Sequence, residues 1–408
     1  MLFRSVQPFF SRRIGLDGSG NPVPIEVGVR GVYRSTNRNA GVIAMRQKDG
    51  GGATNFFVGR FSENFGKQNR IGLIATAKSD ADHANYSFAT DAFFRLNNTM
   101  SLQTMAMFSG SDNGNDKGFS GYYQFLHKGL KSIFWLVQSS TSANFNPEVG
   151  FVSRNDIVET SPGFYWTYRG KKLPKWIRAS EPGVFVTTYH SVSKGYLVER
   201  QFDFNYLWLT LQNGGAFGLF WDNFFQRIDE PLNLVGTVNL AKGNYNYNRY
   251  SIYLATDASK KVSVSSFIIL GDYYNGKLNS TVFKTVLAPS PHFSTSFSFQ
   301  NDAFKGVGVD KYVGNVQLYS VESRLALNPR VQLVGFYQKN NVDDRDFYNI
   351  RLSWEYQPLS YIYFVFNNRS FDQFRTLPNP GGKPILTNEL ARQNIQQTIA
   401  KVSFLKQF

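Results

Sequence analysis

In the segment Tyr348–Ile350–Leu352–Trp354–Tyr356, five large apolar residues fall on alternate positions, and Asn349, Arg351, Ser353 and Glu355 fill the places between them. Side chains alternate across a strand with a period of two, whereas a helix would repeat its apolar residues at three and four. The same alternation runs through Ile25–Val27–Val29–Gly31–Tyr33 against Glu26, Gly28 and Arg30. It returns in Phe202–Phe204–Tyr206–Trp208 against Gln201, Asp203 and Asn205, and in Ala400–Val402–Phe404 against Lys401 and Ser403. Each window spans about ten residues and closes on a polar or Gly-rich turn. One helical turn is expected, at Asn388–Glu389–Leu390–Ala391–Arg392, inside a long link. The chain reads as all-β.

Roughly 16–22 such strands fit between residue 24 and the C-terminus. Some links are tight: Leu96–Thr99, His127–Leu130 and Leu327–Arg330. Others are long and polar: Ser109–Gly118, Asn340–Asp346 and Ser370–Gln393. Short turns at one rim and long loops at the other are the pattern of a closed antiparallel transmembrane β-barrel. Aromatic residues near strand ends suit interfacial girdles, and Phe, Tyr and Trp make up 16% of the 408 residues. The expected organisation is an N-terminal segment, 1–23, that plugs the barrel or packs at its rim, and one barrel domain, 24–408.

Several classes are excluded. Cysteine is absent, which removes disulfide scaffolds, thiolate metal sites and cysteine nucleophiles. No run approaches the roughly 18 apolar residues of a membrane helix. The formal charge of +15 comes from 44 Lys and Arg scattered along the chain, with no basic run of five, so nucleic acid is not expected as a partner. Outer-membrane lipid and lipopolysaccharide are the expected partners, with a larger outer-membrane protein complex as a further one. The first seven residues lack a charged n-region followed by an apolar run of roughly 7–15 residues. A barrel must be exported, so a leader ahead of this sequence is expected.

Several phrases resemble one family along almost the whole chain. They are Phe9–Phe10–Ser11–Arg12–Arg13–Ile14–Gly15, then Val58–Gly59–Arg60 with Ile71–Gly72–Leu73–Ile74, and Phe145–Asn146–Pro147–Glu148–Val149–Gly150–Phe151–Val152–Ser153–Arg154–Asn155–Asp156. Gly271–Asp272–Tyr273–Tyr274–Asn275–Gly276 and Asn349–Tyr356 continue the series. The chain is similar to the Bacteroidota outer-membrane barrels of unassigned function that usually follow a carbohydrate-binding-module-like domain of the family-nine type. The resemblance implies an outer-membrane location and a channel for a solute such as an oligosaccharide. A non-catalytic structural or accessory subunit of a larger complex is the alternative. The preceding module itself is not in this sequence, and neither are its sugar-binding residues.

Candidate functional residues concentrate in two phrases. Arg12 and Arg13 can contact lipid phosphate or an acidic partner, or pair with carboxylates of the barrel interior. Asn146–Asp156 combines Pro147 with apolar Val149, Phe151 and Val152, and such a segment packs rather than floats. It is expected either to fold inward, with Glu148, Phe151, Arg154 and Asp156 lining a constriction, or to cap one rim as a structural loop; in both readings Phe151 is buried and Arg154 paired. Interior residues Glu26, Arg30, Asp203, Arg351, Glu355 and Lys401 mix both signs and favour a narrow or plugged lumen over a wide pore. Phe404 and Phe408, four apart on one face, resemble the C-terminal assembly signal of bacterial outer-membrane proteins. Acidic groups at Asp112–Asp116 and at Asp343, Asp344 and Asp346 lack calcium-loop spacing and read as turns. His83, His127, His190 and His292 show no metal spacing, and no nucleophile elbow accompanies them. No metal, cofactor or catalytic residue is expected.

Overall fold

The computed structural model describes residues 6–16, 22–49, 52–112, 114, 117–234, 238–342, 346–377 and 385–405. It is an antiparallel β structure, and its one helical element among the described residues is the 3₁₀ turn Ser11–Arg13. The chain divides into two compact units. One comprises Met1–Thr167, Gly183–Phe204 and Phe224–Arg227. The other comprises Tyr168–Pro182, Asn205–Asn223 and Ile228–Phe408.

In the first unit the strands Ile25–Arg34, Arg38–Asp49, Gly52–Phe65, Asn69–Ser79, Ala84–Arg95, Met100–Ser111, Gly118–Lys128, Ser132–Thr141, Ile157–Trp166 and Gly183–Ser191 pair in sequence order as a meander. Alternation sorts their side chains. One face exposes Phe57, Phe61, Ile71, Leu73, Tyr86, Phe88, Phe108, Phe119 and Phe134. The other buries small polar groups: Thr76, Ser87, Ser109, Ser120, Ser139 and Thr141. These hydroxyls pair across the ladder, Thr76 with Ser87 at 2.6 Å and Ser120 with Thr141 at 2.9 Å. Arg60 and Asp91 form an ion pair on the same packed face.

Residues of the N-terminal segment lie on that face. Val6–Gln7 and Phe151–Val152 form a two-stranded ladder of their own. Val6 and Phe145 bury against Ala89 and Met107, while Val149 buries against Phe56 and Val58, with Phe9 and Ile14 alongside. Full burial of Phe145 and Val149 contributes about 1.5–3 kcal/mol each.

In the second unit the meander runs through Gly243–Ala255, Val262–Tyr273, Gly276–Ser290, Phe293–Val307, Tyr312–Asn328, Val331–Asn340, Asp346–Gln357, Ser360–Leu377 and Ile385–Ser403. Its exposed face carries Phe297, Val321, Leu333, Ile350, Leu352, Trp354 and Phe364. A short ladder, Leu232–Asn233 with Asn239–Leu240, folds against the opposite face. There Val238 and Leu240 join Ile228, Leu278, Phe304 and Val307 in a buried cluster.

The long link expected at Ser370–Gln393 is a correction. The strands Ser360–Leu377 and Ile385–Ser403 continue their ladder through Phe371↔Gln393 and on to Leu377↔Ile385, so only the middle of that stretch connects them. The helical turn expected at Asn388–Arg392 is strand for the same reason. Pairing of Leu390, Ala391 and Arg392 with the partner strand outweighs a weak local helix preference. The link read from sequence as Ser109–Gly118 is also shorter, because the strand Met100–Ser111 runs two residues past Ser109.

Candidate functional site

The candidate site is the packed face of the first unit, where the two phrases singled out in the sequence meet. Phe10 N donates to Val149 O at 2.9 Å, Arg13 Nε donates to Gly150 O at 3.3 Å, and the Phe10 and Phe151 rings lie 5.7 Å apart. Gly15 N donates to the Oε1 of buried Gln47 at 2.8 Å. Local sequence explains the seating. Pro147 fixes its φ, and Gly150 leaves no side chain where the carbonyls of Gln7 and Pro8 approach.

Side chains from three strands then tie the segment down. Asn85 donates from Nδ2 to Asn146 O at 2.9 Å and accepts from Glu148 N at 3.0 Å, while Asn146 N donates to Ser109 Oγ at 2.9 Å. Glu148 receives Lys78 Nζ at 2.7 Å and faces His83 Nε2 at 2.7 Å. His83 Nδ1 stands 3.2 Å from Asp112 Oδ1. The hydrogen bond to Glu148 raises the His83 pKa, burial opposes it, and the charges of Glu148, Asp112 and Asp80 add to the rise. Burial would raise the Glu148 carboxyl, but hydrogen bonds from Lys78 and His83 outweigh it and hold the pKa below the ordinary value.

The sequence-derived residues take separate places. Arg154 Nη1 donates to Glu199 Oε2 at 2.6 Å, and its guanidinium sits 4.9 Å from the centre of the Tyr189 ring. Asp156, at φ +56°, accepts from Ser191 Oγ, Ser193 Oγ and Ser193 N at 2.7–2.8 Å. Phe151 is half-buried rather than deeply buried, because its strand pairs at the edge of the segment. Phe145 and Val149 take the deepest positions instead. Arg12 and Arg13 are exposed, and neither meets a carboxylate among the described residues; Arg13 uses a backbone carbonyl. Glu26 pairs with Arg46 at 3.1 Å, and buried Asp203 accepts from Gln201 at 2.7 Å. Phe404 is exposed. Phe408 lies outside the described residues, as do Asn113, Asn115, Asp116, Asp343 and Asp344.

A cavity of about 240 Å³ opens between the two phrases, lined by Arg13, Phe145, Asn146, Pro147, Val152, Ser153, Arg154 and Asn155. Beyond it the packed face carries a wall that sequence reading missed. The Trp135 and Tyr165 rings stack with centroids 5.5 Å apart and planes 27° apart, and Phe185 lies 6.0 Å from Trp135. Gly163 pairs with Trp135 and Gly183 pairs with Tyr165 across the ladder. A Cβ on Gly163 would overlap the indole, and one on Gly183 would overlap the phenol ring. Each ring therefore lies over glycine backbone across the ladder. Only the cross-strand register reveals these partnerships.

No family model matches the chain, and no curated protein matches it. Solved structures similar to it include the ferric-catecholate import receptor Fiu of E. coli K12 (TM-score 0.43, 10% identity, 85% of this chain and 69% of that one). Another is BauA, the ferric preacinetobactin receptor of Acinetobacter baumannii (TM-score 0.42, 10% identity, 85% of this chain and 67% of that one).

Proposed function

We propose that this chain is a bacterial outer-membrane protein whose strands close into a β-barrel, with a narrow, plugged interior that conducts a solute. The observation that carries the reading is an aromatic line on the exposed face of the second unit. Phe299 and Tyr319 lie 4.9 Å apart, and Tyr337 and Tyr348 stack at 6.1 Å. The Tyr319 hydroxyl donates to Gln317 Oε1 at 3.1 Å, and the Tyr337 hydroxyl donates to Asp346 Oδ1 at 3.4 Å. To one side of the line the face is polar, with Asn301, Gln317, Lys339 and Asp346. To the other it carries Val321, Leu325, Leu333, Ile350, Leu352 and Trp354, interrupted by the paired hydroxyls of Thr295 and Ser323 at 2.8 Å.

Tyr348–Trp354 is seven residues, about 20 Å of strand at 3.3–3.4 Å per residue, and forms part of the roughly 25 Å apolar band that a membrane barrel needs. In water an exposed apolar face of this extent would drive association. Against lipid it costs nothing, provided that no strand edge is left unpaired, which is why closure belongs to the reading. Lipid and lipopolysaccharide are then the partners of the exposed face. Residues 6–16 and 145–156, seated on the packed face, supply the plug.

The test is fractionation followed by recording. The full-length chain should sediment with outer membranes, need detergent for extraction, and shift in gel mobility on heating. In planar bilayers it should give small or no steady conductance. Recovery as a soluble protein without detergent would overturn the membrane reading, and a large steady conductance would overturn the plug.

A further inference from the structure

We propose that the wall built by Trp135, Tyr165 and Phe185 is a saccharide-binding site, one that stacks a neutral pyranose ring on its aromatic faces. The inference rests on the conducting interior proposed above, and it names the class of solute.

The platform has the geometry that sugar stacking requires. Because Gly163 and Gly183 leave room for the rings over the backbone, Trp135 and Tyr165 stack on each other with planes only 27° apart. Phe185 is tilted by 48° against Trp135 and by 45° against Tyr165, so it forms a lip at the edge. Phe134 and Phe164, on the same strands, point to the exposed face. The three rings therefore sit opposite the lipid-facing side and are only half-buried. The axial C–H bonds of a pyranose carry partial positive charge, and the π-face of an aromatic ring is negative.

Polar groups follow the platform along the same face in a fixed order. Two residues along from Gly163 and Phe185 stand Ser161 and Thr187, whose hydroxyls meet at 2.9 Å. Two residues further are Glu159, Ser139 and Tyr189, with Ser139 Oγ 3.2 Å from Glu159 Oε2. Arg154 and Glu199 lie beyond, joined to Tyr189 through the guanidinium. Asp203, on the strand Leu197–Leu211 beyond Gly183–Ser191, acts electrostatically on the Tyr165 hydroxyl. The wall thus offers ring faces beside hydroxyls and carboxylate acceptors, the groups that sugar hydroxyls need.

The charges decide between ligand classes. Glu159, Glu199 and Asp203 repel phosphates and anionic aromatics, and Arg154, which acts on Glu159, is already paired with Glu199. A neutral polyol with an apolar face suits both halves of the wall.

The experiment is calorimetry on the purified full chain in lauryldimethylamine oxide, since a glycoside detergent would compete. The probes are maltohexaose, cellohexaose and xylohexaose, with inorganic phosphate and 2,3-dihydroxybenzoate as anionic comparisons. Saturable binding of at least one hexaose is expected. Trp135→Ala should weaken it tenfold or more and Glu159→Gln several-fold, while Phe134→Leu on the opposite face should leave it unchanged. Glu159→Gln keeps the rings in place, so it decides the matter if Trp135→Ala does not regain heat-modifiable mobility. No saturable hexaose binding, equal binding by Glu159→Gln and wild type, or preference for either anion would overturn the proposal. Binding in detergent is independent of conduction. A chain that binds a hexaose but gives a large steady conductance would keep the wall and lose the plug, whereas a chain of small conductance that binds none would lose the wall alone.

Discussion

His83 Nε2 lies 2.7 Å from Glu148 Oε1, and through that contact the Asn146–Asp156 segment is joined to the turn that follows the strand Asn69–Ser79. The segment carries the carboxylate and the turn carries the imidazole, so the attachment depends on two titrations. The groups facing His83 are Glu148, Asp112 and Asp80, and Lys78 meets the same Glu148.

The sign of the pH dependence follows. The folded His83 pKa stands above its ordinary 6.5, so its contribution is complete below 6.5 and is lost as pH rises through the raised value. The Glu148 pKa is lowered from 4.5, so its contribution holds above 4.5 and is lost as pH falls through the lowered value. Hydrogen-exchange protection of residues 145–152, corrected for intrinsic rates, should fall on the alkaline side of 6.5. His83→Ala should flatten that alkaline limb. An identical profile in the variant would show that His83 does not hold the segment.

Phe145 is fully buried against Val6, Ala89 and Met107. Phe145→Ala should cost about 3–5 kcal/mol in the contacts that seat the segment. Protease cleavage within 145–156 should appear in folded protein, and bilayer conductance should rise above that of wild type. Unchanged conductance with a cleaved segment would remove it from the plug.

Gly163→Ala places a methyl group where the Trp135 indole now lies. Overpacking of this kind costs about 1–3 kcal/mol, read as a lower urea midpoint for unfolding from detergent. In a Trp135→Ala background the same substitution should cost little, because the ring that it displaces is gone. Equal costs in the two backgrounds would mean that the indole does not need the glycine.

Leu352 and Ser353 are sequence neighbours on opposite faces of one strand. Leu352→Arg should destabilise the protein in lipid by about 2–4 kcal/mol, the cost of a cation near the middle of the apolar band. Ser353→Arg should change stability far less, since that face is polar. Similar losses in both variants would argue against lipid on the Leu352 side.

The sequence on its own determined which residues share a face. Period-two alternation is local, so Tyr348–Tyr356 and Phe202–Trp208 could be sorted into exposed apolar and opposing polar rows without a partner strand in view. The packing of Asn146–Asp156 was partly legible too, because Pro147 and the apolar residues around it mark a segment that must bury something. Which of them goes deepest depends on what lies opposite, and Phe145 and Val149 outrank Phe151 for that reason alone.

The tertiary structure decided everything that rests on register. Trp135 and Gly163 are 28 positions apart and become neighbours only when two strands align residue for residue. One step of slippage would put the ring over a side chain and turn Phe134 to its side. Likewise His83 and Glu148, 65 residues apart, meet because one lies in a turn and the other in a loop that folds back over the sheet. The helical preference of Asn388–Arg392 yielded to a ladder with a partner strand. A chain of alternating residues specifies its two faces through local geometry, but pairings between distant strands depend on the whole set of backbone hydrogen bonds.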